Sequence, residues 1–286
     1  MNTEPVIAVN TLAYHGYDLK TALKEISELG ATYVEPALIS SYYEEFTDEY
    51  FTPENANELC RSLSENGLKM VALGAHMDLG QACWADAFKR RMEFAKGLGA
   101  KLVHTNTARV SEEAFFLKNI EALTSVAEDL HLIITLENPG DGTENIVSTG
   151  KTGAALIERI GSQWVRLNYD FSNVFSYSKG RVKPEDDFRY ALPFSAHFHL
   201  KEIKPAGAEW AFVEIGKGVT DYGAILKALA QQEWIPPMSI ELPLRFKRDA
   251  EYQIRLDPAA AAVPLVEIRN VLRGSLDYIN RELNQD

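Results

Sequence analysis

The sequence predicts one α/β domain, a single (β/α)8 barrel running from residue 1 to residue 286. Three observations carry that expectation. Eight short apolar runs alternate with eight longer amphipathic ones, and strict alternation implies parallel strands joined by right-handed crossovers. The length, 286 residues, suits one closed barrel, for which ~250 is usual. No glycine-rich GxGxxG or GxxxxGK[ST] phosphate loop occurs, which weakens the case for an open nucleotide-binding sheet.

The units follow in order. PVIAVNTL is the first strand, and DLKTALKEISELG its helix, stopped at Gly30. TYVEPALI is the second strand; a long loop, SSYYEEFTDEYF, leads to the helix TPENANELCRSLSENG, with Thr52 as N-cap and Pro53 at N1. LKMVALGAH and KLVHTNT are strands three and four, separated by the helix ADAFKRRMEFAKGLG. The helix SEEAFFLKNIEALTSVAEDL opens on a Ser-x-x-Ala cap and precedes the fifth strand, HLIITLE, whose helix is TGAALIERIG. WVRLNYD is the sixth strand; its crossover reads as mostly loop with a short helix near Glu185–Leu192. FSAHFHL is strand seven, TDYGAILKALAQQ its helix, PMSIEL strand eight, and VPLVEIRNVLRGSLDYINREL the closing helix. Two loops, Ile39–Phe51 and Ser172–Lys183, are long and carry Tyr42, Tyr43, Phe46, Phe51, Phe175 and Tyr177. Both fall on the face where barrel active sites are built, and they read either as a lid or dimer contact or as the capped edge of the core.

The formal net charge is −12, and so acidic a surface argues against nucleic acid and anionic membranes as partners. Neither Cys60 nor Cys83 belongs to a CxxC or Cys/His cluster, so both are expected as reduced helix thiols. There is no signal-peptide pattern and no apolar stretch near ~18 residues, which points to a cytoplasmic protein.

Four residues of metal-ligand type close four successive strands: Glu137, Asp170, His199 and Glu241, spaced by 33, 29 and 42 residues. Each gap is about one strand plus one crossover helix, so all four side chains are expected at the same edge of the barrel. Three carboxylates in one place repel unless a cation lies among them. A set of oxygens plus one imidazole suits Mn, Mg or Co better than structural Zn. His197 shares the face of His199 and reads as a hydrogen-bonded core residue.

The segments LEN at Glu137, NYDFSN at Asp170, HFHLKE at His199 and SIELP at Glu241 resemble the xylose isomerase-like TIM-barrel superfamily of sugar isomerases and epimerases. ENGLKMVALGAH, KGLGAKLVH and EIGKGVTDYGAILKAL, with Gly216, Gly218 and Asp221, extend the resemblance over nearly the whole chain. It implies a mononuclear site for a divalent ion (Mn first, with Mg, Co or Zn as alternatives) held by Glu137, Asp170, His199 and Glu241. It also implies that Glu137 and Glu241 exchange a proton α to a carbonyl, through a metal-stabilised enediolate. The substrate is then a small sugar or sugar phosphate, and the assembly a homodimer or homotetramer.

The expected substrate contacts are His76, His104, Lys201, Asn173 and Arg245. His76 and His104 also read as pocket-wall residues at the ends of strands three and four, Lys201 as a salt-bridge partner of Glu202 or Asp221, and Arg245 with Lys247 as a solvated helix entry. The endonuclease IV branch of the same barrel carries a second His where this chain has Asn173, and an Asp-x-His pair absent here, so DNA repair is not expected. Asn173 and Pro205 also depart from the His and Arg of ketohexose 3-epimerases, and HLKE is closer to inosose and sugar-phosphate branches. A keto-inositol-type dehydratase and a non-catalytic sugar-binding barrel are the alternatives.

Overall fold

The computed structural model describes residues 5–82, 84–257 and 262–284; the expectation for Cys83 lies outside them. In chain order the strands are β1 (Ile7–Asn10), β2 (Tyr33–Glu35), β3 (Lys69–Met70), β4 (Ala72–Gly74), β5 (Leu102–Asn106), β6 (Ile133–Glu137), β7 (Val165–Asp170), β8 (Ser195–Leu200), β9 (Ile203–Ala206), β10 (Glu209–Phe212), β11 (Met238–Ile240), β12 (Phe246–Arg248) and β13 (Ile254–Leu256). The helices are α1 (Leu19–Glu28), α2 (Pro53–Glu65), α3 (Trp84–Gly97), α4 (Glu113–Leu130), α5 (Gly150–Ile160), α6 (Phe171–Tyr177), α7 (Pro184–Ala191), α8 (Tyr222–Ala230) and α9 (Leu265–Leu283).

The parallel sheet runs β3-β2-β1-β11-β8-β7-β6-β5-β4. Its two ends are the two pieces of the expected third strand, interrupted at Val71. Backbone bonds from Leu38 to Gly74 (2.7 Å) and from Gly74 to Pro36 (2.9 Å) join them to the β2 side, so the barrel closes. The expected second strand is shorter than its apolar run, because Pro36 has no N–H to continue a ladder. Helices pack outside the sheet and share one large core with it. A smaller apolar cluster of Ala72, Leu102 and Ala196 gathers residues from the starting ends of the strands. Among the described residues no helix is long and apolar enough to cross a membrane.

One irregularity positions the site. Between β7 and β8 the register slips at Leu167/Asn168, so that Leu167 faces Ser195 but Asp170 faces His199. An unbroken ladder would set Phe198 opposite Asp170. Because side chains alternate, the bulge brings the imidazole and the carboxylate side by side.

Several expectations need correction. The crossover after β7 is not mostly loop: α6 begins directly after Asp170, whose side chain caps it by accepting from the Asn173 N–H (2.8 Å). Helix α4 starts from a 3-10 turn at Val110–Glu112 and has no side-chain cap, so the Ser-x-x-Ala cap does not form. Of the two readings of the Ile39–Phe51 loop, the core one fits Phe46 and Phe51, which belong to the main core. A second sheet, β13-β12-β10-β9, entirely antiparallel, was not anticipated. It covers the barrel mouth with Ile203, Phe212, Phe246 and Tyr252, against which Tyr42 and Phe175 pack. Elsewhere the local signals hold. Thr52 caps α2 ahead of Pro53, Cys60 is a free thiol, and Asp221 caps α8. Gly218 is required by crowding, since a Cβ there would stand 2.2 Å from the Ile203 carbonyl oxygen.

Candidate metal centre and active site

The four strand-end residues converge. Ligand atoms of Glu137, Asp170, His199 and Glu241 all lie within 4.8 Å of one another, and all four residues are buried. Glu137 and Asp170 end β6 and β7, His199 lies in β8, and Glu241 follows β11. The His199 Nδ1 is 3.0 Å from Glu137 Oε2 and 3.3 Å from Glu241 Oε2. The Lys201 ammonium lies 2.7 Å from Asp170 Oδ2 and 2.5 Å from Glu241 Oε2, rather than at the Glu202 or Asp221 anticipated for its salt bridge. Yet neither oxygen receives an aligned hydrogen bond. Two buried carboxylate oxygens without a directed donor, beside an imidazole nitrogen and a third carboxylate, are the donor set a hard or borderline divalent cation takes.

The charges are tightly coupled. Burial pushes Glu137 up, but His199 and His76 outweigh it and hold the carboxyl well below its ordinary range. Burial also opposes protonation of His199, yet Glu241, Glu35 and Glu137 together raise it well above the usual imidazole value. Asp170 is raised by burial despite Lys201. Burial disfavours the charged form of Lys201, and Asp170 and Glu241 more than compensate, keeping the amine protonated.

Directly above lies a cavity of about 180 Å³. His76, Glu137, Asn173, Lys201 and Glu241 line it. His76 Nε2 sits 2.7 Å from Glu137 Oε2, and Asn173 Nδ2 donates to Glu137 Oε1 (3.1 Å). Three of the residues singled out earlier stand elsewhere. His104 lies mid-strand in β5 rather than at its end, fully buried, with Nδ1 hydrogen-bonded to Thr135 Oγ1. His197 is a hydrogen-bonded core residue, bonded to Asn168 Oδ1 (2.9 Å) and Ser239 Oγ (3.1 Å). Arg245 meets His15 (3.2 Å) outside the cavity lining.

Sequence reasoning missed two residues here. Arg248, on β12, forms a cavity wall and donates to Asn173 Oδ1 (2.7 Å), Gly140 O (3.1 Å) and Tyr252 O (2.9 Å). Nothing in the sequence marked it, because the mouth sheet was read as loop and helix entry. Glu35, at the end of β2, lies beneath the site with His199 Nε2 at 2.9 Å. Its signal was present: Glu35 closes the run TYV as Glu137 closes LHLIITL.

The chain resembles known proteins over most of its length. A D-psicose 3-epimerase from Enterocloster bolteae is 24% identical over 71% of this chain and 73% of its own. The crystal structure of D-psicose 3-epimerase with D-tagatose from Clostridium cellulolyticum H10 superposes with a TM-score of 0.75 at 14% identity, covering 98% of this chain and 100% of that one. The IOLI protein with a bound zinc atom gives a TM-score of 0.73 at 17% identity, with the same coverage. The model of the xylose isomerase-like TIM-barrel family matches residues 23–259, and the chain belongs to that family.

Proposed function

We propose that the protein is a divalent-metal-dependent isomerase or epimerase of a small sugar or sugar phosphate. The observation that carries this reading is the placement of Glu137 and Glu241 on one imidazole nitrogen, His199 Nδ1, at the floor of a cavity walled by Lys201, Asn173 and Arg248. A binding protein needs oriented donors but no pair of ionised carboxylates facing the ligand. Glu137, Asp170, His199 and Glu241 would hold the ion, with Mn favoured by the oxygen-rich donor set. When bound, it would supply Lewis-acid polarisation of a substrate carbonyl or hydroxyl.

The residues account for the remaining steps. Glu137 is held ionised by its neighbours and so can accept a proton α to a carbonyl. Glu241 is likewise held below its ordinary range: burial pushes it up, but His199 and Lys201 prevail. One glutamate, as the carboxylate, removes the proton; the other, after taking up a proton from solvent, delivers it to the opposite face, and exchange with solvent restores both groups. Lys201 and Arg248 offer donors to substrate oxygens, and Arg248 also fixes the Asn173 amide so that its Nδ2 donates to Glu137 and to the Asn138 carbonyl. A relative described as an epimerase and a neighbour carrying zinc support the reaction class and the ion site.

One feature favours a second reading. His76 touches Glu137 at 2.7 Å, a placement from which it could protonate a departing hydroxyl, as a keto-inositol dehydratase requires. Chromatography of ketoses and ketose phosphates incubated with the protein, in chelator and in Mn2+, separates the cases. An isomeric product formed only with Mn2+ supports the first reading, a product lighter by one water supports the second, and no turnover of any member with metal analysis showing no bound ion overturns both.

A further inference from the structure

The two nitrogens of His199 face opposite ways. Nδ1 points to Glu137 and Glu241 and accepts from Asn168 Nδ2 (3.2 Å), whereas Nε2 meets Glu35 Oε1 at 2.9 Å. Glu35 is a wholly buried carboxylate outside the four-residue cluster. Such a group is expensive to desolvate and calls for a compensating role.

Its orientation is fixed from behind. The Leu12 N–H donates to Asn10 Oδ1 (2.8 Å), which leaves the Asn10 amide nitrogen to donate to Glu35 Oε1 (2.7 Å). Oε1 is therefore an acceptor, and the His199 nitrogen facing it must carry the proton. Oε2 receives no aligned donor; His104 Nε2 and His197 Nε2 stand off from it at 3.4 and 3.6 Å. Both directed donors thus fall on one oxygen, and the carboxylate's charge is offset chiefly through the His199 ring.

We propose that Glu35 is a positioning residue for the ion site: it holds the Nε2–H tautomer of His199, so that the Nδ1 lone pair is presented to the cation. The inference rests on the reading of Glu137, Asp170, His199 and Glu241 as a cation site. A carboxylate on the far nitrogen of a ligating histidine fixes its tautomer and strengthens it as a donor, and losing such a partner typically lowers metal affinity 10–100-fold.

The test uses Mn2+ calorimetry on the wild type and on Glu35→Gln, with 15N NMR of the Zn2+-loaded wild type in case the variant does not fold. The expected results are a 10–100-fold weaker Mn2+ affinity in the folded variant, and His199 protonated at Nε2 with Nδ1 shifted by the metal. An unchanged affinity in a folded Glu35→Gln, or a proton on Nδ1, overturns the proposal while leaving the ion site intact. Two ions bound per wild-type chain also overturn it, because Glu35 would then be a ligand of a second ion with His104 and His197. A wild type that binds no Mn2+ removes the ion site itself and the proposal with it.

Discussion

Lys201→Met separates the two cations that can neutralise this cluster. The ammonium lies 2.7 Å from Asp170 Oδ2 and 2.5 Å from Glu241 Oε2, with its side chain buried. Methionine keeps most of the stem and removes the charge. Without a bound ion, deleting one member of a buried pair costs about 3–5 kcal/mol. At about 2–4 °C per kcal/mol for a large single domain, the melting temperature should fall by about 6–20 °C in chelator. With Mn2+ the penalty shrinks. The ammonium repels a divalent ion a few ångströms away by several kcal/mol even at an effective dielectric of about 20. A tenfold affinity gain in the variant would capture only about 1.4 kcal/mol of that. At equal Mn2+, the gap between wild type and variant should therefore close by about 3–6 °C. Thermal melts by circular dichroism, each in chelator and in saturating Mn2+, measure both numbers. A variant as stable as wild type in chelator, or a gap that Mn2+ leaves unchanged, would refute the reasoning.

Other consequences are simpler to test. Arg248→Lys cannot keep all three of the Arg248 hydrogen bonds, to Asn173, Gly140 and Tyr252, so kcat/KM should drop about tenfold to a hundredfold; steady-state kinetics at the wild-type level would count against that role. Gly218→Ala places a Cβ 2.2 Å from the Ile203 carbonyl and 2.5 Å from the Glu202 carboxylate, which accepts from Ile203, Val219 and Thr220. Urea titration should show a loss of about 1–3 kcal/mol, and an unshifted midpoint would contradict the crowding. Burial lowers the folded-state values of His104 and His197 below that of free imidazole. The unfolded chain then binds more protons as pH falls through about 6.5, so stability is lost below that pH by about 1.4 kcal/mol per unit for each histidine. His199 is raised and acts oppositely: its contribution is full below about pH 6.5 and is lost as pH rises through its folded value. Unfolding free energies of the ion-free chain should thus peak near pH 6.5, and a flat profile below it would be inconsistent with neutral buried histidines.

The barrel and its four strand-end candidate ligands were legible because both depend on local periodicity. Each candidate follows an apolar run, and parallel strands necessarily bring such positions to one edge. The mouth sheet was not legible. Its strands are short, β9 contains Pro205, and Trp210 and Phe212 alternate with Glu209 and Ala211 over only four positions. Arg248 was lost with it, and Arg245 was singled out in its place, although it lies against His15. Helix α6 was missed because its seven residues carry no apolar stripe beyond Phe171, Val174 and Phe175, and the Asp170 cap that starts it was already assigned to the metal. His104 was placed too near the mouth because β5 continues to Asn106. The role of Glu35 required knowledge of what lies across the barrel, which neither spacing nor a short motif encodes.

The central claim is that Glu137 and Glu241 are ion ligands that also move the α proton of a sugar. It is tested most directly by solvent exchange. A ketose accepted by the wild type is incubated in D2O with Mn2+, and deuterium beside the carbonyl is followed by NMR for wild type, Glu137→Gln and Glu241→Gln. The account predicts Mn2+-dependent incorporation by the wild type and a loss of about a hundredfold or more in each variant. Full exchange by both variants, or exchange by the wild type that is indifferent to chelator, would contradict it.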